Sequence, residues 1–147
     1  MVATFILQDM DRDVNGRVNS IFKRRNWADS SLSVNVYALG ESFKRIIRGF
    51  DEGAFVRIKT LYDLTRRKHL SFIRIDDLDK DFPSHYKEIE KRDSLIESGD
   101  KLNLAFFCAD SKSNKFLTMD GNTLKSGRIT EYLSSIGKSV VEIDGFP

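Results

Sequence analysis

The strongest constraint on the fold is the alternation of short apolar runs with longer segments whose apolar residues recur at helical spacing. Val14, Val18, Ile21 and Phe22, for example, fall at i, i+4, i+7 and i+8 and form one helical stripe. The runs predicted as strands are residues 2–7, 32–36, 70–75, 115–118 and 139–143. This alternation predicts an α/β protein, a three-layer α/β/α fold with a mainly parallel sheet of about five strands.

Length and composition fit a single domain, residues 1–147, that folds without covalent or metal staples. The chain has 147 residues, of which 40% are apolar and 31% charged, and this size buries roughly 70% of the unfolded surface. The single cysteine, Cys108, lies in an apolar helical run and is interpreted as a small core residue. No apolar run reaches the about 20 residues of a membrane span, and no secretory signal precedes Gln8. We therefore expect a cytoplasmic protein without a membrane partner.

Two acidic residues stand where one predicted element gives way to another. Asp100 follows Ser98-Gly99 and precedes the apolar run 102–108, so it is predicted to cap the N-terminus of a buried helix. Residues 116–118 predict a short buried strand, which places Asp120 just past its C-terminal end. Ligands of open α/β sheets bind at this edge.

This arrangement resembles the C-terminal half of a PIN domain, with Ala105 five residues after Asp100 and Thr118 two residues before Asp120. PIN domains are metal-dependent nucleases, and many are the ribonuclease toxins of toxin–antitoxin pairs. The resemblance implies four acids that converge at the carboxyl edge of the sheet. In chain order these are Asp9, Glu41, Asp100 and Asp120, with Asp11, Thr118 and Asn122 as auxiliary polar residues.

The activity implied by the resemblance is cleavage of RNA by an endoribonuclease that uses Mg²⁺ or Mn²⁺. Like charges held together repel by ~4 kcal/mol per close pair at an effective dielectric near 20, and a hard divalent cation removes that penalty. A metal-bound water is also a better nucleophile for hydrolysis of a phosphodiester bond. The family further implies a homodimer and an antitoxin protein as a partner.

A catalytically silent PIN-like module that binds RNA or a protein is the main alternative. Each acid taken alone is more often a helix cap or a surface residue than a ligand. Gln8 and Met10 flank Asp9, and if Gln8 occupies the place of the first ligand, the site loses an acid. A third interpretation is a phosphorylated receiver domain, which the pair Asp76-Asp77 and Lys138 fit only loosely.

The net charge of +2, from 24 basic and 22 acidic residues, gives no global argument for nucleic acid. The basic residues do fall in groups, which either follow a phosphate backbone or form ordinary solvated helix faces. These groups are Lys23-Arg24-Arg25, Lys44-Arg45 with Arg48, and Arg57-Lys59 with Arg66-Arg67-Lys68.

Overall fold

The computed structural model describes residues 1–8, 10–24, 27, 30–74, 76, 78 and 81–145. Eight α-helices lie within these residues: α1 Val2–Leu7, α2 Arg12–Phe22, α3 Val36–Gly49, α4 Glu52–Arg66, α5 Phe82–Arg92, α6 Ser98–Ala109, α7 Gly121–Lys125 and α8 Gly127–Ser135. Four strands accompany them: β1 Leu32–Asn35, β2 Leu70–Ile73, β3 Lys115–Thr118 and β4 Ser139–Glu142. The predicted α/β class is therefore confirmed.

The chain divides into two compact units, Met1–Phe72 (unit 1) and Ile73–Phe146 (unit 2). Strand β1 pairs with β2 in one sheet, and β3 pairs with β4 in another. The described residues thus form two sheets of two strands each, where the sequence predicted a single sheet of about five. The organisation of the chain as one domain stays a prediction.

The prediction of a strand at residues 2–7 is wrong, because these residues form helix α1. The N–H of Phe5 donates to the carbonyl of Met1 at 2.8 Å, as in a helical turn. Phe5 and Ile6 are buried, and the Phe5 ring lies 4.7 Å from that of Phe22 in α2. A short run that is apolar on all sides has no period that distinguishes helix from strand. Here α1 packs against α2, α3 and α4, so other helices cover its buried residues.

Helices α3 and α4, both fully described, are fixed at their N-termini by side-chain caps. The side chain of Asn35 accepts from the N–H of Ala38 at 2.8 Å, and that of Asp51 accepts from the N–H of Ala54 at 2.6 Å. Within these two helices the buried residues are Ile46, Ala54 and Leu64. Most of the surface of α3 and α4 is therefore available to solvent.

Unit 2 is organised around α6, in which residues 104–109 are all buried. Its core also takes Ile89 of α5 and Ile129 and Leu133 of α8. Strand β3 runs parallel to β4, so α7 and α8 form the crossover between them. The predicted buried helix and the two predicted strands of this region are confirmed.

Helix α6 and strand β3 are consecutive elements of unit 2. Residues 110–114 join them, and the ring of Phe107 lies 5.4 Å from that of Phe116 at the joined end. Asp100 lies in the first turn of α6, and Asp120 follows the C-terminal end of β3 as the N-cap of α7.

The burial of α6 leads to a prediction about stability. Leu104 is fully buried in the core of unit 2, so Leu104→Ala should lower the free energy of unfolding by about 2–5 kcal/mol, because it removes buried apolar surface and leaves a cavity. Leu95 of the same unit is 79% exposed, and Leu95→Ala should change it by less than about 0.5 kcal/mol. Urea unfolding measures both. Equal losses of stability in the two variants would contradict the placement of α6 at the core.

Candidate functional site

The first predicted acid, Asp9, lies outside the described residues, and its neighbours have structural roles. Gln8 ends α1 in the left-handed conformation, with φ 55°. Its side-chain amide donates to the oxygen of Asn19 at 3.1 Å and accepts from the nitrogen of Asn19 at 2.8 Å. Asp11 caps α2 by accepting from the N–H of Val14 at 2.9 Å. The amide of Gln8 is thus engaged in joining α1 to α2.

Glu41 lies on α3 in an open cleft of about 350 Å³. Its carboxylate accepts from the hydroxyl of Tyr37 at 3.1 Å, one turn earlier in the helix. The cleft is lined by Leu7, Glu41, Lys44, Arg45, Arg48 and Gly49. The four charged residues fall at i, i+3, i+4 and i+7, so they share one face of α3. We call this region, with three cations and one carboxylate, the α3 cleft.

Asp120 follows β3, as the sequence predicts, and caps the N-terminus of α7. Its carboxylate accepts from the N–H groups of Asn122 at 3.4 Å and Thr123 at 2.7 Å. Its own N–H donates to the hydroxyl of Thr118 at 3.0 Å. Burial opposes ionisation, but the donors of Thr123 and Asn122 outweigh it and hold the pKa of Asp120 below its usual value.

Asp100 is half-buried in the first turn of α6, and its prediction as the N-cap is wrong. The cap residue is Glu97, because the helix begins at Ser98, two residues before Asp100. A carboxylate in the first helical turn is still favoured by the helix dipole. Asp100 therefore keeps its place at the N-terminal end of α6.

Asp93 is an acidic residue of the same region that the sequence analysis missed. The hydroxyl of Ser126, at 2.5 Å, and the N–H of Leu95, at 2.9 Å, donate to its carboxylate. These hydrogen bonds lower the pKa of Asp93, and the charges of Arg128 and Lys101 act in the same direction against the opposing effect of burial. The only sequence signal is an acid in a short turn before a helix, which is typical of capping as well.

The structure divides the described site residues between the two units. Asp100 and Asp120 belong to unit 2, whereas Glu41 belongs to unit 1. Within the described ranges, no group of three or more His, Cys, Asp or Glu side chains is placed to hold a metal ion. The convergence of all four acids stays a prediction.

Comparison with known proteins gives no match to a protein-family model, to a curated protein or to a solved structure. The resemblance to PIN domains therefore depends on the residues quoted for it. Among the described helices, none combines the length and apolar character needed to cross a bilayer.

The lowered pKa of Asp120 predicts how its contribution to stability depends on pH. Because the folded-state pKa lies below the unfolded value of about 4, the stabilisation is complete above that pH and is lost as pH falls through the folded value. Asp120→Asn keeps an acceptor oxygen and removes the charge, so it should lower the free energy of unfolding at pH 7 by about 0.5 kcal/mol.

The difference between wild type and D120N should shrink as the pH is lowered below about 4. Asp120→Ala serves as a comparison, since it removes the cap altogether and should cost about 1 kcal/mol at pH 7. Urea unfolding at several pH values measures all three proteins. A difference between wild type and D120N that is the same at every pH would contradict the assignment.

Proposed function

We propose that the protein binds RNA and that the α3 cleft holds part of the phosphate backbone. The observation that carries this proposal is the common helical face of Lys44, Arg45 and Arg48, which lines an open cleft. RNA, as the particular polyanion, is suggested by the resemblance to PIN domains. This is the binding-module alternative of the sequence analysis, now attached to named residues.

The chemistry of the α3 cleft suits phosphate in particular. Lysine and arginine donate charge-assisted hydrogen bonds to phosphate oxygens, and arginine can donate two in parallel. Each phosphate neutralised also releases condensed counterions, so affinity falls steeply with salt. Glu41 lies at one end of this row of charges, and its carboxylate repels an anion. A phosphate is therefore favoured at the other, cationic end of the cleft.

Removing two cations from the α3 cleft should weaken RNA binding. We expect Lys44→Gln with Arg48→Gln to lower affinity at low salt and to make its salt dependence less steep. The log–log slope should fall by about 0.7 for each phosphate of a single strand that the variant no longer neutralises. Fluorescence anisotropy of a labelled RNA oligonucleotide at several salt concentrations measures both quantities.

The matched control is Lys87→Gln with Lys91→Gln, two exposed residues at the same i, i+4 spacing on α5. This control changes the net charge by the same amount as the Lys44→Gln, Arg48→Gln variant. It should lower RNA affinity less than that variant does. Glu41→Gln adds a test of opposite sign, because removal of the carboxylate should strengthen binding of an anion. Equal reductions of affinity in the two double variants would show that the α3 cleft has no special role.

A metal-dependent endoribonuclease is the second candidate function, and one observation favours it. Asp120 directly follows the carboxyl end of β3, a strand of a parallel pair, which is the edge at which ligands bind in α/β sheets. Mg²⁺ usually takes one or two carboxylates and keeps several waters, so two acids suffice for it. Such a metal lowers the pKa of a bound water. The three-layer PIN fold, the homodimer and the antitoxin partner belong to this same proposal.

Metal binding can be tested without knowledge of the RNA target. Calorimetric titration of Mn²⁺ should show binding by the wild type that Asp100→Asn and Asp120→Asn each weaken at least tenfold, because each removes one anionic ligand. Glu131→Gln, an exposed acid on α8, is the control and should bind as the wild type does. A folded wild type that binds no Mn²⁺ would leave Asp120 as a helix cap and would sink the nuclease candidate.

A further inference from the structure

One face of α4 presents aromatic and cationic side chains in turn. Phe55, Lys59, Tyr62 and Arg66 fall at i, i+4, i+7 and i+11, within about 60° of one another around the helix. Phe55 is 65% exposed and Tyr62 is 66% exposed, and the two cations are exposed as well. We call these four residues the α4 stripe.

All four residues of the α4 stripe are exposed, so none of them packs into the core of unit 1. The helix is held by Ala54 and Leu64, which are buried on another side, and by Arg57, whose Nε donates to the carbonyl of Ile6 at 2.5 Å. Large exposed aromatics gathered on one surface mark binding surfaces rather than ordinary solvated faces. A ligand of the α4 stripe must therefore offer flat apolar surface and negative charge together.

We infer that the α4 stripe is a stacking platform for single-stranded RNA, an inference that rests on the proposed RNA-binding function and names its substrate class. Proteins that bind single strands place bases on aromatic side chains and phosphates on neighbouring cations. The two aromatics are seven positions apart, about 10 Å along the helix, which is close to three stacked base steps of about 3.4 Å. Lys59 lies between the two aromatics along the helix, where its ammonium group can bind the phosphates between the stacked bases.

The interleaving of charges favours a nucleic acid over a protein as the occupant. The cores of protein interfaces are depleted of lysine, because its ammonium group is costly to desolvate. Here Lys59 lies between the two aromatics on the same face of α4, whereas a protein interface would place a lysine at its polar rim. A duplex is also disfavoured, since its bases are already stacked on one another and offer only their edges and backbone.

The test is a titration of the full-length protein with a labelled 12-nucleotide single-stranded RNA, followed by fluorescence anisotropy. Phe55→Ala and Tyr62→Ala should each lower affinity roughly five- to a hundredfold, with little change in the salt slope, because each removes a stacking partner and leaves the cations in place. Phe55→Trp and Tyr62→Trp should retain affinity. Leu95→Ala, which removes a more exposed apolar side chain in unit 2, is the control and should bind as the wild type does.

A second RNA in which the bases are replaced by abasic sites separates stacking from charge. The wild type should bind it more weakly than the intact strand, and this difference should be smaller for F55A and for Y62A, because each variant keeps only one of the two stacking partners. If the wild type binds RNA and the two alanine variants bind the intact strand just as well, the stacking inference is overturned while the RNA-binding proposal stands. If the wild type binds no RNA, both fall.

Sedimentation of the same variants tests whether the α4 stripe binds a protein, namely a second copy of this chain. An association of the wild type with itself that Phe55→Ala abolishes, without any effect on RNA affinity, would assign the α4 stripe to a second copy of this chain and overturn the inference.

Discussion

The structure depends on the burial of two helices, each of which contains a run of successive buried residues. In α1, residues 4–6 are buried in succession, and in α6, residues 104–109 are. A helix covered on all sides can be stable only where other elements surround it, since an exposed apolar helix would lose the hydrophobic contribution of about 25 cal/mol per Å². Helices α2, α3 and α4 surround α1, and α5, α8 and the β3–β4 sheet lie about α6. Each unit is built around one such helix.

This constraint also explains where sequence reasoning succeeded. The apolar run 102–108 was predicted as a helix because Ser98-Gly99-Asp100, a typical sequence for a helix N-terminus, precedes it. The run at α1 spans six, a length at which strand and helix are equally compatible with an unbroken apolar pattern. Only packing decides between them, and packing with α2, α3 and α4 is not visible in the local sequence. The strands β1, β2, β3 and β4 were predicted within a few residues because turns and polar loops bound them.

The acids of the candidate site show a different limit. A carboxylate at the junction of two elements satisfies exposed N–H groups at a helix N-terminus, and the same junctions are where ligands bind in α/β proteins. The sequence therefore predicted the place of Asp120 correctly, while the structure adds that both its oxygens already accept hydrogen bonds from α7. Asp11 has the same role in α2. Asp93 escaped notice because its partner Ser126 lies 33 residues away in the sequence.

Capping and metal binding at Asp120 are compatible on energetic grounds. A carboxylate has about four lone-pair positions, and the two N–H groups of α7 use two of them. The donors that lower the pKa of Asp120 also keep it ionised at neutral pH, which is the state that a hard cation requires. The cap further fixes the orientation of the carboxylate, and a second shell of hydrogen bonds of this kind commonly positions metal ligands. The capping role of Asp120 therefore does not by itself argue against a functional one.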